Sequence, residues 1–431
     1  MAQTLKFGKG TWATKTGSSM AYNDQNGNYK PLPFNVERDS IATRVNKQGL
    51  IEVVGKDKLR IDYTDSAKGV ALLEPQRTNL ITYSEDFGNS DWLKSNASIN
   101  TNVVLSPDGT TTADEQIENT ANSTHLSYQN MIVSNGATVT LSVFVKKKNT
   151  NYCILLENTT GKRIGFNFNT GLIEFQSTAI ETFVEKFNND WYRIGFTVNV
   201  VSTSAILRLY NSPDSNTLSY TGDGFSGFYI WGAQLEEGSY ATSYIPTSGS
   251  TYQRQADVVN GSGNSEVFND SEGVLFAELE LLQDTPIANM YFGISSGSLA
   301  NSIFFRFNTA GDIVAYNAGL GSSNIIGLKS ASEIDLTSTF KLAVKYGVTN
   351  PNFSFYVNGL KIPQNGSFSA TSVSGLNKYD FALYDGTSSP VYGKIKDSRI
   401  YNTALTDAEL EYLTSYRSLN EMVTELNLNA L

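Results

Sequence analysis

The residue types that most often carry catalysis are scarce in this sequence. His125 is the only histidine and Cys153 the only cysteine among 431 residues, which excludes histidine-dependent serine or cysteine triads and multi-histidine zinc sites. Paired carboxylates remain, because Glu333 and Asp335 stand two residues apart and a strand would place both on one face. Retaining glycosidases need two carboxyl groups about 5 Å apart. Mechanisms that use tyrosine, lysine or carboxylates alone therefore stay open, and no motif among these residues supports one of them.

Sugar binding without hydrolysis would use aromatic rings, and the chain contains 23 Tyr, 23 Phe and 4 Trp. Trp191 and Trp231 lie within alternating apolar stretches, so we predict that both are core residues. Trp92 lies in a polar segment, where it could either cover the end of a sheet or contact a ligand. The candidates for stacking on a sugar are Trp92, Tyr316, Tyr384 and Tyr392.

Loop carboxylates could hold calcium, which prefers oxygen ligands from Asp side chains and backbone carbonyls. Asp223 and Asp385 are the candidates, and Asp214 and Asp380 lie in similar loops. Asp is also frequent in turns because its side chain hydrogen-bonds the local backbone. Since no spacing of these residues marks an ion site, we expect no cofactor, with calcium as the one possibility to test.

The charge balance argues against several classes of partner. The formal net charge is −10, from 32 basic and 42 acidic residues, which opposes attraction to nucleic acid or to an anionic membrane. The first twelve residues lack a signal-peptide core, and no stretch approaches the ~20 apolar residues of a membrane span. We therefore expect a product of the cytoplasm without membrane insertion.

Alternating apolar residues predict an all-β protein. Val139, Leu141, Val143 and Val145 share one face of a strand, and this period of two is typical of half-buried sheets. Similar strands are predicted over 163–169, 191–200, 205–210 and 227–236, and a second set over 273–281, 302–308, 340–347 and 353–362. Asn358-Gly359 is a strong hairpin signal. The pattern predicts two tandem β-sandwiches, the first of them a jelly roll.

Three other segments lack the alternation that predicts strands. Residues 1–35 are polar and aromatic without periodicity and predict an extended segment that either docks on another protein or is loosely ordered. Residues 258–272 are rich in Gly, Ser and Asn and predict a linker. Near the end, Thr406 with Glu409 and Ser418 with Glu421 are capping boxes. They predict a short helix whose apolar face packs on its own domain, on another copy or on a neighbouring protein.

Two stretches resemble the ends of a known module. LLEPQRTNLITYSEDF (residues 72–87) and FYIWGAQLEEGSYATSYIP (residues 228–246) are similar to the β-sandwich of bacteriophage head-spike, tail and fibre proteins. Residues 38–63 resemble the stem that precedes this module. In the second half, FYVNGLKI, FALYDG and GKIKDSRIYNTALTDAELEYL resemble the closing half of a laminin-G or concanavalin A-like lectin domain.

One further likeness bears on catalysis. Residues 333–336 resemble the start of the Glu-x-Asp-x-x-Glu strand of concanavalin-type glucanases. Ser338 stands where that pattern has its second glutamate, so the acid/base carboxyl is missing. We therefore expect that the protein is not an enzyme, and a polysaccharide depolymerase remains an alternative.

These resemblances imply a division of the chain and a function. They imply an attachment segment (1–35), a jelly-roll module with its stem (36–257), a linker (258–272), a lectin-like sandwich (273–416) and a terminal amphipathic helix (417–431). The implied function is that of a virion fibre or spike subunit, a homotrimer that binds host-surface glycans and contacts other virion proteins. A capsid-decoration protein without a glycan ligand is the other alternative.

Overall fold

The computed structural model describes residues 3–15, 18–23, 30–283, 286–318, 325–347, 353–364 and 373–426. Over these residues the chain forms 35 β-strands and two short α-helices. The prediction of an all-β protein with two sandwiches and a C-terminal helix is confirmed. No helix in these ranges is long and apolar enough to cross a membrane.

In chain order the first strands are β1 (Leu5–Gly8), β2 (Ala13–Lys15), β3 (Ser18–Asn23), β4 (Lys30–Glu37), β5 (Ala42–Val45), β6 (Ile51–Val54), β7 (Arg60–Asp62), β8 (Val70–Leu73), β9 (Arg77–Asn79), β10 (Leu93–Ser95), β11 (Ala97–Val104), β12 (Ala113–Glu118), β13 (Asn122–Thr124), β14 (Leu126–Ile132), β15 (Thr138–Lys147), β16 (Tyr152–Glu157), β17 (Lys162–Asn167) and β18 (Leu172–Gln176). They are followed by β19 (Glu181–Lys186), β20 (Trp191–Asn199), β21 (Ser204–Ser212), β22 (Ser219–Thr221), β23 (Gly227–Glu237), β24 (Tyr252–Arg254), β25 (Val258–Asn260), β26 (Glu272–Leu281), β27 (Met290–Ser295), β28 (Ser302–Phe307), β29 (Ile313–Asn317), β30 (Ile325–Lys329), β31 (Phe340–Gly347), β32 (Ser354–Val357), β33 (Leu360–Ile362), β34 (Lys378–Asp380) and β35 (Gly393–Tyr401). The helices are α1 (Asp407–Thr414) and α2 (Leu419–Glu425).

The chain divides into two compact units, each built from separate stretches of sequence. Unit 1 consists of Met1–Asp39, Gly55–Pro75 and Ala256–Leu431, and unit 2 of Ser40–Val54 and Gln76–Gln255. The chain therefore passes between the units four times. This division differs from the linear order of domains that the sequence predicted.

Unit 2 is a sandwich of two antiparallel sheets, each with six strands among the described residues. One sheet has the order β10-β14-β21-β16-β17-β18 and the other β11-β12-β23-β15-β20-β19. Their inner faces share one apolar core, in which Leu155 and Leu207 of the first sheet meet Val143 and Ile194 of the second. The alternation in β15 thus predicted its buried face correctly.

The hairpin β5–β6 covers the outer face of the second sheet of unit 2. Val45 and Ile51 of the hairpin pack in one cluster with Phe144, Trp191 and Trp231. Both tryptophans are 1% exposed, which confirms their prediction as core residues. Of the predicted stem, only residues 40–54 lie in unit 2, because strand β7 belongs to unit 1.

Unit 1 is a sandwich of a large and a small sheet, counted over the residues that the structure describes. Nine strands run in the order β25-β4-β3-β1-β35-β26-β31-β32-β33, with β2, β7 and β8 attached, and five run in the order β30-β29-β28-β27-β34. The core between them is rich in aromatic rings, and the Phe305 and Phe355 ring centroids lie 5.8 Å apart. These sheets contain the strands predicted for the second sandwich.

The N-terminal strands and the predicted linker both belong to the body of unit 1. Strand β1 pairs with β35, and Phe7 packs against Phe34 with ring centroids 4.9 Å apart. Strand β25, inside the predicted linker, pairs with β4, and Val267 and Phe268 are buried. The polar context of 1–35 and 258–272 hid these few apolar side chains, and the pairing strands of β1 and β25 lie hundreds of residues away in the sequence.

The helices pack on unit 1 by two different means. Leu410 and Leu413 of α1 are buried against Phe276 and Tyr401, and Thr406 forms the predicted capping box with Glu409. Helix α2 has no buried residue and is held by ion pairs of Glu421 with Lys341 (2.7 Å) and of Glu425 with Lys396 (2.7 Å). Residues 427–431 of the predicted helix lie outside the described residues.

Two buried arginines and two carboxylates form an ion network in unit 1. The Arg38 Nη1 lies 2.7 Å from Asp257 Oδ1, and Arg60 Nη1 lies 2.5 Å from Glu74 Oε2. Arg60 also pairs with the second oxygen of Asp257. Burial lowers the pKa of the Arg60 guanidinium, but the charges of Asp257 and Glu74 raise this pKa by more. Both carboxylates therefore stay paired with a fully charged arginine.

The network joins all four segments in which the chain passes between the units. Arg38 precedes the first passage, and its Nη2 and Nη1 donate to the carbonyls of Gly55 (2.7 Å) and Lys58 (3.0 Å) just after the second. Glu74 precedes the third passage and Asp257 follows the fourth, and their backbones are joined by a hydrogen bond of 2.9 Å. One charged cluster thus holds together the separate stretches of unit 1.

Asp257→Asn tests this network, because it keeps the shape of the side chain and removes the charge between two buried arginines. We expect it to lower the free energy of unfolding by about 3–5 kcal/mol, the usual cost of breaking a buried ion pair, as measured by urea titration. The control is Asp39→Asn, whose ion pair with Lys56 is exposed and whose unfolding midpoint should not move. Equal midpoints for the two variants would contradict the role of the network.

Candidate functional site

The outer face of the first sheet of unit 2 carries both partly exposed and buried side chains. Leu207 and Leu209 of β21 face inward and are buried in the core. Because neighbouring residues of a strand point to opposite faces, Arg208 and Tyr210 point outward. This alternation is the reason that a polar and aromatic surface lies directly behind an apolar core.

A row of outward-facing side chains crosses five strands of this sheet. Strand pairing places Leu93 beside Tyr128, Tyr128 beside Arg208, Arg208 beside Leu156 and Leu156 beside Arg163. We call these five residues the Tyr–Arg row. Since neighbouring strands lie about 4.8 Å apart, the two arginines are separated by roughly 10 Å.

Arg208 lies at the centre of the row and lacks an acidic partner. Its guanidinium carbon lies 5.3 Å from the centre of the Tyr128 ring, within the range of a cation–π contact. Its Nη1 donates to the Tyr210 hydroxyl at 3.3 Å, while its buried Nε has no hydrogen-bond acceptor. Among the described residues it forms no ion pair, so most of its N–H donors remain available to a ligand.

Arg163 is held at the other end of the row by a loop. Its Nε and Nη2 donate to Asn216 Oδ1 at 2.9 and 2.7 Å, and its guanidinium lies 5.2 Å from the Phe175 ring. The loop passes so closely over β17 that a Cβ at Gly165 would lie 1.7 Å from the Ser215 carbonyl oxygen. Residues 213–218 therefore form a wall beside the Tyr–Arg row.

Asp214 fixes that wall. Its Oδ1 accepts hydrogen bonds from the backbone N–H groups of Asn216 (2.8 Å) and Thr217 (2.7 Å). The hydrogen bond from Asn216 is the main reason that the pKa of Asp214 is lowered. The carboxylate therefore stays charged and is used in holding the loop.

The arrangement offers a ligand two kinds of contact. Tyr128 presents an aromatic ring, and Arg208 presents N–H donors in a planar fork that matches a carboxylate. An aromatic platform with a few fixed polar groups is typical of sites that bind small polar molecules. The residues can bind and orient such a molecule, and no described nucleophile stands beside them.

Trp92, predicted as a possible ligand contact, lies in the core of unit 2. It is 1% exposed, its ring centroid lies 4.5 Å from that of Phe87, and its Nε1 donates to the Tyr83 carbonyl at 2.8 Å. The structure corrects the prediction of ligand contact, because a large ring in a short polar loop gains more by turning inward and satisfying its N–H.

The three predicted tyrosines all lie in unit 1. Tyr316, on β29, is 8% exposed and packs in a small cluster on the outer face of the five-stranded sheet. Tyr384 and Tyr392 are half-buried in the loop between β34 and β35, where the Tyr392 backbone N–H donates to the Met290 sulfur at 3.4 Å. The structure does not place these tyrosines in the same unit as Trp92.

The two calcium candidates, Asp223 and Asp385, stabilise the turns in which they lie. Asp223 accepts hydrogen bonds from the N–H groups of Phe225 (2.8 Å) and Ser226 (2.7 Å), and Asp385 from those of Thr387 and Ser388. Burial raises the pKa of both carboxyls, but these hydrogen bonds lower it by more. Within the described ranges, no group of three or more His, Cys, Asp or Glu could hold a metal ion.

The two carboxylates considered for sugar hydrolysis, Glu333 and Asp335, also bind residues that are close to them in the sequence. Glu333 forms an ion pair with Lys329, and Asp335 accepts hydrogen bonds from the hydroxyls of Thr337 (2.7 Å) and Ser338 (2.6 Å). These bonds outweigh burial and lower the pKa of Asp335. A general acid needs a raised pKa instead, so Asp335 is poorly suited to that role.

A cleft of about 470 Å³ lies between the edge strands β30 and β33 of unit 1. It is lined by Leu328, Lys329, Ser330, Glu333, Leu360, Lys361, Ile362, Pro363 and Gln364. Its two lysines are neutralised within the protein, Lys329 by Glu333 and Lys361 by Asp407. The cleft therefore lacks the free cationic donors that distinguish the Tyr–Arg row.

The central residues of the row were missed by the sequence analysis. Residues 205–210 were predicted as a strand, and the alternation of that strand already places Arg208 outward. Tyr128 is 80 positions earlier in the chain, and its position beside Arg208 depends on the pairing of β14 with β21. The missing information was therefore the strand order.

Comparisons with known proteins give partial likenesses only. No protein-family model and no curated protein matches the chain. A CBM40 module of the Ruminococcus gnavus IT-sialidase, also solved with alpha2,3 sialyllactose, is 16% identical with a TM-score of 0.29, over 36% of this chain and 94% of that one. A putative carbohydrate binding protein from Bacteroides ovatus is 13% identical with a TM-score of 0.26, over 68% of this chain and 80% of that one. The Trypanosoma rangeli sialidase is 9% identical with a TM-score of 0.27, over 91% and 80%.

Two neighbouring substitutions test the placement of Trp92. Trp92→Ala should lower the free energy of unfolding by about 3–5 kcal/mol, because it opens a cavity in the core of unit 2. Leu93→Ala, at the next residue, removes a side chain that is 45% exposed and should change the free energy of unfolding by less than about 0.5 kcal/mol. Urea titration measures both. A small effect of Trp92→Ala would show that the ring is not part of the core.

Proposed function

We propose that this protein is a non-catalytic subunit of a bacteriophage virion, a fibre or spike protein that attaches to host glycans. Its glycan contact would be the Tyr–Arg row of unit 2, and its ligands would be saccharides that carry a carboxylate. The observation that carries the glycan part is the guanidinium of Arg208, which is stacked on Tyr128 and has no acidic partner among the described residues.

The chemistry of the row favours an acidic saccharide. The chain has a net charge of −10, and Arg208 is one of several arginines without an acidic partner among the described residues. Charge-assisted hydrogen bonds from a guanidinium to a carboxylate are roughly twice as strong as neutral ones. The ring of Tyr128 can cover the apolar face of a sugar at the same time.

The virion part of the proposal rests on the sequence resemblance at residues 38–63, 72–87 and 228–246. A subunit of this kind would assemble into particles in the host cytoplasm. A homotrimer would suit the role, because weak single sites gain much affinity when several are presented together. Other virion proteins would then be its structural partners.

Two rival functions make different predictions. A capsid-decoration protein would bind assembled particles, show no response on glycan arrays and fail to compete with phage for host cells. A depolymerase would release reducing ends from host polysaccharide and lose that activity in a Glu333→Gln, Asp335→Asn double variant. The attachment proposal predicts competition with adsorption and no release of reducing ends.

Arg208→Gln tests the proposed contact directly. We expect this variant to weaken binding to an acidic oligosaccharide about tenfold or more, because a hydrogen bond to a charged group is worth about 1.5–3 kcal/mol. Tyr128→Ala should weaken binding to acidic and neutral saccharides alike. Isothermal titration calorimetry on the full chain measures both.

Arg44→Gln is the matched control, because Arg44 lies in the same unit and is already paired with Glu52. The Arg44→Gln variant should bind the acidic oligosaccharide with the same affinity as the wild type. If Arg208→Gln binds as tightly as Arg44→Gln, the Tyr–Arg row is not the site.

Removal of divalent metal should not change glycan binding. The carboxylates of Asp223 and Asp385 accept hydrogen bonds from the backbones of their own turns. We therefore propose that no calcium ion bridges protein and sugar. Titrations in EDTA and in excess calcium should give the same affinity. A loss of affinity in EDTA that calcium restores would contradict this expectation.

A further inference from the structure

The five-stranded sheet of unit 1 repeats the chemistry of the Tyr–Arg row. Residues of β28 alternate in direction, so that Phe305 and Phe307 face the core while Phe304 and Arg306 face outward. Pairing with β29 places Tyr316 beside Phe304. An arginine and a tyrosine from adjacent strands thus share an outer sheet face, as they do in unit 2.

Aromatic rings form a packed platform on this face, and its two central members, Phe304 and Tyr316, are each 8% exposed. Phe304 and Tyr316 are stacked, with centroids 4.9 Å apart and ring planes at 18°, and Tyr291 meets Phe304 edge-on at 5.5 Å. Gly293 makes room for this platform, since a Cβ there would lie 2.5 Å from the Phe304 Cβ. The rings support one another and leave little freedom for Tyr316 to move.

Arg306 lies over the platform without a partner for its donors. Its guanidinium carbon is 5.0 Å from the centre of the Tyr316 ring, compared with 5.3 Å for Arg208 over Tyr128. Among the described residues it has neither an ion-pair partner nor a hydrogen-bond acceptor, and its Nε is buried. Arg306 is partly exposed, so its Nη groups, and not the buried Nε, are the donors that an anionic ligand at this face would meet.

Other arginines of unit 1 show the contrast. Arg38 and Arg60 are buried against Asp257, and the Arg399 Nη2 lies 2.6 Å from Asp397 Oδ2. Arg38 and Arg60, which are buried in unit 1, are thus each paired with a carboxylate. Arg306 has no such carboxylate among the described residues, which leaves its Nη groups open to an anionic ligand.

We propose that the outer face formed by Tyr291, Phe304, Arg306 and Tyr316 is a second site for carboxylate-bearing saccharides, so that one chain binds two ligand molecules. The ligand class rests on the function proposed for unit 2, whereas the site stands on its own residues. A chain with two sites of the same chemistry would bind a polymeric acidic glycan much more tightly than either site alone.

The test is the number of ligand molecules bound per chain, measured by isothermal titration calorimetry on the full protein. The probes are a trigalacturonate and its methyl ester, which have the same shape and differ in charge, together with 3′-sialyllactose and lactose. We expect an acidic probe to bind two per chain in the wild type, one in Arg208→Gln, one in Arg306→Gln and none in the double variant. The uncharged partner of each pair should bind at least tenfold more weakly.

Two further variants separate binding from folding. Arg306→Lys keeps the charge but loses the planar guanidinium. This variant should still bind two ligand molecules per chain, with a lower affinity at the site in unit 1. Arg417→Gln removes an arginine that lies on Tyr412 at the surface of the same unit and should keep both sites unchanged. Urea midpoints of all variants show whether unit 1 remains folded.

The outcomes distinguish this inference from the proposed function. One site per chain that is lost in Arg208→Gln and unaffected by Arg306→Gln overturns the second site and leaves unit 2 as proposed. One site that is lost only in Arg306→Gln supports the second site and overturns that of unit 2. No binding of either acidic probe overturns both. A change of oligomeric state in Arg306→Gln, without a change in stoichiometry, shows instead that the face contacts another copy and also overturns the second site.

Discussion

The ion network of Arg38, Arg60, Glu74 and Asp257 is the interaction on which the rest of unit 1 depends. Unit 1 is assembled from three separate stretches of sequence, and the network joins the ends of all of them. Burying four charges is expensive unless each one is paired, and here each one is paired. The same constraint, that a guanidinium must meet an acceptor, separates the structural arginines from Arg208 and Arg306, whose acceptors we assign to a ligand.

Local pattern predicted several of the long strands of both sandwiches, such as β15, β20, β23 and β26, because alternation needs only neighbouring residues. The buried face of β15, the hairpin at Asn358-Gly359 and the cap of α1 all follow from residues close in sequence. The placement of 1–35 and 258–272 did not follow. Strand β1 pairs with β35 almost 400 residues away, with Leu5 beside Ile400, and no local pattern encodes such a partner.

The candidate sites were predicted less well than the fold. Composition directed attention to aromatic residues, and Tyr316 lies beside Arg306, which has no ion-pair partner among the described residues. Trp92 was misplaced because a polar context says little about which way a large ring turns. Arg208 and Tyr128 could be recognised as a pair only once the strand order was known, since the two residues meet across a sheet.

The central claim is that Arg208 holds a carboxylate supplied by a saccharide. A crystal structure of the full chain with an acidic trisaccharide tests this most directly. We predict that a sugar carboxylate lies within hydrogen-bond distance of the Arg208 guanidinium, with a sugar ring against Tyr128. A saccharide bound elsewhere in unit 2, with the guanidinium of Arg208 facing solvent, would contradict the account.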